Sequence, residues 1–127
     1  MTRSNRTLLR LVAPLTLVGL GLSGLVGCKS YEDEENFIDK AAKESCDLNR
    51  KCYYAYYVDE FSDHSDCIDE TIDDLEDQSD FLDDIGCDYE PDNAPDCIDA
   101  LKEAGRTCEE NDLEDMFEAC YEDLYDC

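Results

Sequence analysis

The sequence has no tryptophan and a single histidine, His64, and it sets ten basic residues against 35 carboxylates, a net charge of −25 over 127 residues. It has no C-x-x-C pair, no glycine-rich stretch of the kind that cradles phosphate, and no cysteine at zinc-finger spacing from His64. Each absence argues against a class of function. Zinc–thiolate sites need paired Cys or Cys/His ligands. Nucleic-acid binding needs a basic surface, whereas carboxylates in this excess repel phosphate. Ser62, Asp63, Ser65 and Asp66 flank His64, but neighbours at a helix start cannot adopt the geometry of a nucleophilic triad. Carboxylate pairs for acid–base work can be drawn almost anywhere in so acidic a chain. The sequence therefore reads as a non-enzyme without a resident cofactor.

What is present is unevenly placed. Arg3, Arg6 and Arg10 precede an apolar run, Leu11 to Val26, that is interrupted by Pro14, Gly19, Gly21 and Gly24 and has no basic stop-transfer flank. That is the layout of a secretory signal rather than of a permanent span. The run ends in Leu25-Val26-Gly27-Cys28, which resembles the lipobox of bacterial lipoproteins. The resemblance implies that residues 1–27 are cleaved, that the Cys28 thiol carries a diacylglyceryl group, and that its freed amine is acylated. Two such chains anchor a protein in the lipid bilayer at about 0.8 kcal/mol per buried CH2. The competing reading is an uncleaved membrane helix with Cys28 as an ordinary thiol. Lys29 stands where inner-membrane members of that family tend to carry Asp, so the resemblance points to the outer membrane, on its periplasmic or surface face. Glu32-Asp33-Glu34-Glu35 resembles the surface-export signals of some lipoproteins, or serves as a solvated tether. Residues 28–36 are assigned to the lipidated cysteine and an acidic tether, and residues 37–127 to one cysteine-rich domain.

Three of the ten basic residues precede Leu11, which leaves seven against 35 carboxylates after position 27, a net charge of −28 on the mature chain. Repulsion of that size opposes compaction, so something other than a large core must hold the fold. Setting aside Cys28, eight cysteines remain: Cys46, Cys52, Cys67, Cys87, Cys97, Cys108, Cys120 and Cys127. An even number in a short exported chain reads as a disulfide framework. Cys46 and Cys52 point to different sides of a helix and therefore need different partners. The local expectations are Cys52 with Cys67 across the first helical turn-around, and Cys87 with Cys97 across a proline loop. The other four would tie the outer helices together. Lipobox and cysteine-studded helices together resemble the small cysteine-rich bacterial lipoproteins, a resemblance that carries over no catalytic motif.

Apolar spacing predicts an all-α bundle of about four helices. Phe37, Ala41, Ser45, Leu48 and Cys52 mark the first, from Glu34 to about Tyr57. Cys67, Ile68, Thr71, Ile72 and Leu75 mark the second, capped by Asp63 or Ser65 and stopped at Gly86. A restart at Ser79 is left open. A loop from Cys87 to Pro95 leads to the third, with Asn93 as cap and Pro95 in its first turn. Asn111-Asp112-Leu113-Glu114 predicts a capping box for the fourth, whose inward stripe is Leu113, Met116, Phe117, Cys120, Leu124 and Cys127. Asp66-Cys67-Ile68-Asp69 recurs as Asp96-Cys97-Ile98-Asp99, too short a match to establish a repeat.

Two stretches invite a functional reading. Tyr crowds the segment from Lys51 to Phe61, and Tyr54 and Tyr56 are candidates for a surface that meets an envelope protein or a glycan. The alternative puts Tyr53, Tyr57 and Phe61 in the core. Asp88, Glu90, Asp92, Asp96 and Asp99 occupy ligand positions of a twelve-residue calcium loop, although Asn93 replaces the turn glycine and Pro91 and Pro95 stiffen it. The expected function is an acidic, lipid-anchored binding or structural module, with a calcium-responsive module as the alternative.

Overall fold

A computed structural model describes residues 31–127; the expected signal segment 1–27, Cys28 and Lys29 lie outside the described residues. Helix α1, Glu34–Cys52, starts where the Asp33 carboxylate accepts a 3.2 Å hydrogen bond from the Glu35 amide, which satisfies one orphan donor. Glu34 and Glu35 open it and Arg50 and Lys51 close it, each charge at the helix end whose dipole favours it. It breaks at Tyr53 (φ −129°, ψ 47°), and a short α2, Tyr54–Glu60, follows. The expected single helix through Tyr57 is therefore two. The break resets the phase of the stripe, so Tyr57 is buried and Phe61 half-buried while Tyr53 stays 44% exposed.

Helix α3, His64–Asp84, is capped by Asp63, whose Oδ1 accepts from the amides of Ser65 and Asp66 at 2.8 and 3.0 Å. It runs through Ser79 without a break. Gly86, at φ 85°, ends it: its amide donates to the Asp83 carbonyl and that of Cys87 to the Leu82 carbonyl, at 3.0 and 2.9 Å, a Schellman closure that needs the left-handed conformation.

The segment expected to be a loop holds a short strand. Strand β1, Asp88–Tyr89, pairs antiparallel with β2, Tyr125–Asp126, with Asp88 opposite Asp126 and Tyr89 opposite Tyr125. Between them lie α4, Ala94–Thr107, α5, Glu110–Phe117, and a π-helical segment, Glu118–Glu122. Asn93 stands at the cap position of α4 as expected, but its side chain makes no capping bond to the helix amides; its Nδ2 instead donates to the Asp123 carbonyl at 2.7 Å, tying the helix start to the C-terminal turn. The capping box expected at Asn111 is absent because α5 starts earlier, with Glu109 at the cap position and Asn111 inside the helix. Thr107 Oγ1 takes over part of that task and accepts from the Glu109 amide at 3.3 Å.

The core is the seam between α1 and α4. Phe37, Ile38, Ala41 and Leu48 meet Ala94, Ile98, Leu101 and Ala104, with Leu124 closing one end. A Cβ on Gly105 would lie 3.4 Å from Leu48 Cα and Cβ, so this glycine permits close helix approach. A second cluster sets Tyr57 against Cys46 and Cys67.

Four disulfides staple this all-α bundle: Cys46–Cys67 joins α1 to α3, Cys52–Cys108 joins α1 to the end of α4, Cys97–Cys120 joins α4 to the π-helical segment, and Cys87–Cys127 joins the two strands. Both local expectations are corrected. Cys52 pairs with Cys108 and not Cys67, because it lies six residues beyond Cys46, about 120° around the helix at 3.6 residues per turn, and faces α4. Cys87 pairs with Cys127 and not Cys97, because the register that puts Asp88 opposite Asp126 also puts those two cysteines face to face. Cys127 is consequently exposed rather than inward, and so is Phe117.

Residues 31–36, assigned to the tether, belong to the fold. Tyr31 packs edge-on against Phe37, and its carbonyl accepts a 2.9 Å hydrogen bond from the Tyr89 hydroxyl. Glu34 Oε1 accepts from the hydroxyls of Ser79 and Tyr125, each at 2.7 Å.

Candidate functional site

Helix α3 packs on α1 and α5 packs on α4, so the outer helices stand as walls on either side of the α1/α4 floor. Between them runs a groove of about 480 Å³. Phe37, Ala41, Leu48 and Leu101 form its floor, with the polar ends of Ser45 and Asn49 among them. Thr71, Asp74, Leu75 and Gln78 line the α3 wall. Leu113, Met116 and Phe117 line the opposite wall, continued by Cys120, Tyr121 and Leu124 of the C-terminal turn. Tyr53, Tyr56 and Phe61 close one end, and Tyr125 stands at the other beside Phe37. The volume lies in the range of small-ligand and side-chain pockets.

The walls are held where they are by the bridges. Following the disulfides gives a ring: α3 to α1, α1 to α4, α4 to the π-helical segment, and the C-terminal strand back to the strand that follows α3. A small apolar core need not supply that rigidity, since loops of 21 to 56 residues closed by disulfides each contribute about 3 to 4 kcal/mol.

Aromatic rings sit at the lip of the groove in water. Phe117 and Tyr121, one helical turn apart, stack with centroids 5.1 Å apart while remaining 59% and 51% exposed. Tyr56 is 52% exposed and meets Phe61 edge-on at 6.1 Å. Of the two tyrosines singled out in the sequence, the structure places only Tyr56 on the groove; Tyr54, two residues away on α2, points elsewhere and is exposed. Apolar spacing alone does not single out Phe117 and Tyr121 as a surface pair. Phe117 fits the apolar spacing of α5, which places it in the core, and the i, i+4 aromatic pair with Tyr121 is the sequence signal that marks it otherwise.

The charge on the walls has one sign. Ten carboxylates and no Lys or Arg lie on α3, and α5 with the π-helical segment carries six and again no Lys or Arg. The six basic residues of the described chain are on α1 and α4, and four of them pair within their own helices: Lys40 with Glu44 and Arg50 with Asp47, at 2.7 and 2.9 Å, Lys102 with Asp99 at 3.3 Å, and Arg106 with Glu103. The Glu44 hydrogen bond raises the Lys40 pKa above its ordinary value.

The remaining candidates do not assemble into a site. The calcium window is not a loop: Asp88 lies in β1, the Glu90 amide is bonded to the Leu124 carbonyl at 2.8 Å, Asp92 is in a turn, and Asp96 and Asp99 are on α4, where Asp99 meets Lys102. Among the described residues no three His, Cys, Asp or Glu side chains are grouped to hold a metal ion. His64 is partly buried, with Nδ1 3.3 Å from the Tyr57 hydroxyl and Nε2 3.5 Å from Asp47 Oδ1. Its neighbour Asp66 accepts a 2.8 Å bond from the Ser62 amide, which holds its carboxyl below the usual range. Both contacts pin the α2–α3 corner. Among the described residues no helix is long and apolar enough to cross a membrane. Comparison with known proteins finds no matching family model, no matching curated protein and no matching solved structure.

Proposed function

We propose that the protein is a lipid-anchored binding module of a bacterial envelope, not an enzyme, and that the groove between α3 and α5 is its binding element. The observation that carries this reading is the groove itself: a largely apolar trough with four exposed rings, Tyr53, Tyr56, Phe117 and Tyr121, around it, held open by four cross-links. Exposed apolar surface in a monomeric domain usually marks an interaction site.

The anchor rests on the lipobox-like Leu25-Val26-Gly27-Cys28. Three backbone steps separate Cys28 from Tyr31, at most about 11 Å of extended chain. An acylated Cys28 therefore holds the Phe37 and Tyr125 end of the groove close to the lipid headgroups, at the outer membrane on the resemblance to exported lipoproteins. Lipidation is tested by metabolic labelling with an acyl precursor. The wild-type chain should take up label and Cys28→Ser should not; equal labelling of the two rejects the anchor. The groove is tested by a photo-crosslinking residue placed at Phe117, Tyr121 or Ile85 in intact cells. A discrete adduct from the first two positions and not from Ile85, which is off the groove, supports the reading, and adducts indifferent to position reject it.

A further inference from the structure

The lips of the groove carry a charge pattern that selects among occupants. On α3, Glu70, Asp74 and Asp77 fall at i, i+4 and i+7, one stripe along the edge of which Asp74 lines the groove. On α5, Glu110 and Glu114 precede Phe117 by seven and three residues and share its edge. All five carboxylates are exposed, and neither helix holds a basic residue to neutralise them. The trough between these rows is mostly apolar, with Ser45, Asn49, Thr71 and Gln78 as its polar members. Its floor follows α1 from Phe37 to Asn49, about 18 Å at 1.5 Å per residue, the length of about three helical turns.

From these features we infer that the groove takes a cationic amphipathic helix of a partner protein, with its apolar face in the trough and its Lys and Arg side chains along the two acidic lips. The inference rests on the groove being the binding element. The cavity accommodates the side chains of one helical face, and Phe117, Tyr121 and Tyr56 flank them as aromatic anchors of the kind that dominate interface energetics. An anionic helix would set like charges on both lips. A neutral one would leave the carboxylate rows without a counter-charge. Charge complementarity also speeds encounter, since a field of one sign over the groove steers oppositely charged ligands.

The test uses the oxidised mature chain, residues 28–127, with Cys28→Ser to keep it free of lipid, and three labelled 14-residue peptides. The first is a Leu/Lys peptide with Leu at i, i+3, i+4 and i+7. The second has the same composition scrambled so that no apolar face forms, and the third replaces each Lys by Glu. Fluorescence anisotropy at about 0.15 M salt should show saturable binding of the first, at least about tenfold tighter than of either control. Phe117→Ala with Tyr121→Ala should weaken it by about tenfold. Glu70→Gln with Asp74→Asn and Asp77→Asn should weaken it and flatten its salt dependence. Tyr54→Ala with Ile85→Ala, exposed but off the groove, should change it by less than about twofold. Equal binding of the scrambled peptide, or indifference to the Phe117 and Tyr121 changes, overturns the inference, because contact is then a matter of net charge alone. A neutral solvatochromic dye separates this failure from the failure of the groove reading. Dye that binds wild type and not the Phe117/Tyr121 variant, and that the Glu or scrambled peptide displaces as well as the Lys peptide, leaves the groove in place and rejects the cationic helix. Dye and peptides that all ignore that variant reject the groove.

Discussion

The hydroxyl of Tyr125 donates a 2.7 Å hydrogen bond to Oε1 of Glu34, across 91 residues of sequence. The same oxygen accepts from Ser79 at 2.7 Å, so one carboxylate at the start of α1 ties down the end of α3 and the C-terminal strand. Tyr125→Phe removes the donor and keeps the ring. It should lower stability by about 1 kcal/mol, the scale for a partly exposed hydrogen bond to a charged group. Urea denaturation of Tyr125→Phe, Glu34→Gln and the double variant checks this: the double variant should lose less than the sum of the two singles.

Alkaline pH should loosen the same end of the molecule. Burial raises the pKa of Tyr89 and Tyr125 well above the ordinary 10, assisted at Tyr125 by its bond to Glu34 and at Tyr89 by the nearby Glu34 charge. The fold holds these two protons more tightly than the unfolded chain does. Their contribution to stability is therefore complete below about pH 10 and declines as pH rises beyond it. Urea midpoints measured from pH 8 to 11 should be level and then fall, and the fall should be shallower in Tyr89→Phe with Tyr125→Phe. An undiminished fall in that variant would place the alkaline sensitivity elsewhere.

Gly105 sets how closely α1 and α4 approach. Because a Cβ there meets Leu48 at 3.4 Å, Gly105→Ala fits at contact distance and gains helix propensity, for a net change between zero and about 1 kcal/mol stabilising. Gly105→Leu has no room and should cost about 2 to 3 kcal/mol. Thermal melts of the two variants should move in opposite directions or differ by many degrees.

Much of the fold is legible in the sequence because its signals are local. Asp63 caps α3 because its carboxylate reaches the amides two and three residues on, and Gly86 stops α3 where a left-handed residue is required. The disulfide pairing is not local. Cys52 and Cys67 are close in sequence, but the break at Tyr53 and the short α2 between them give Cys67 to Cys46 and leave Cys52 facing α4. Two-residue strands carry no periodic pattern, so the ribbon that sets Cys87 against Cys127 had no signature. The groove was beyond reach for the same reason. Its walls, α3 and α5, meet it from opposite sides of a floor they do not share, and Phe117 lies on an edge that apolar spacing alone assigns to the interior.

Aromatic rings at the lip should be dispensable for folding. Phe117 and Tyr121 are more than half exposed, so Phe117→Ser and Tyr121→Ser should each change stability by no more than about 0.5 kcal/mol. Ile98→Ala, in the seam at 1% exposure, should cost about 2 to 5 kcal/mol. Chemical denaturation of the three variants makes the comparison, and a large loss from either lip variant would reassign that ring to the core.

The bridges differ in the chain they close. Cys52–Cys108 spans 56 residues and Cys46–Cys67 spans 21, which predicts losses of about 4 and about 3 kcal/mol when each pair is changed to Ala. Both losses should appear as lowered urea midpoints, with the larger for the longer loop.

The pairing of the cysteines decides what holds the walls of the groove apart. Proteolysis of the oxidised protein without reductant, followed by mass spectrometry of the linked peptides, reads this directly. The structure predicts Cys46 with Cys67, Cys52 with Cys108, Cys87 with Cys127 and Cys97 with Cys120, and no free thiol among the eight. A peptide joining Cys52 to Cys67 or Cys87 to Cys97, or free thiols among these positions, would contradict the closed ring and the groove it frames.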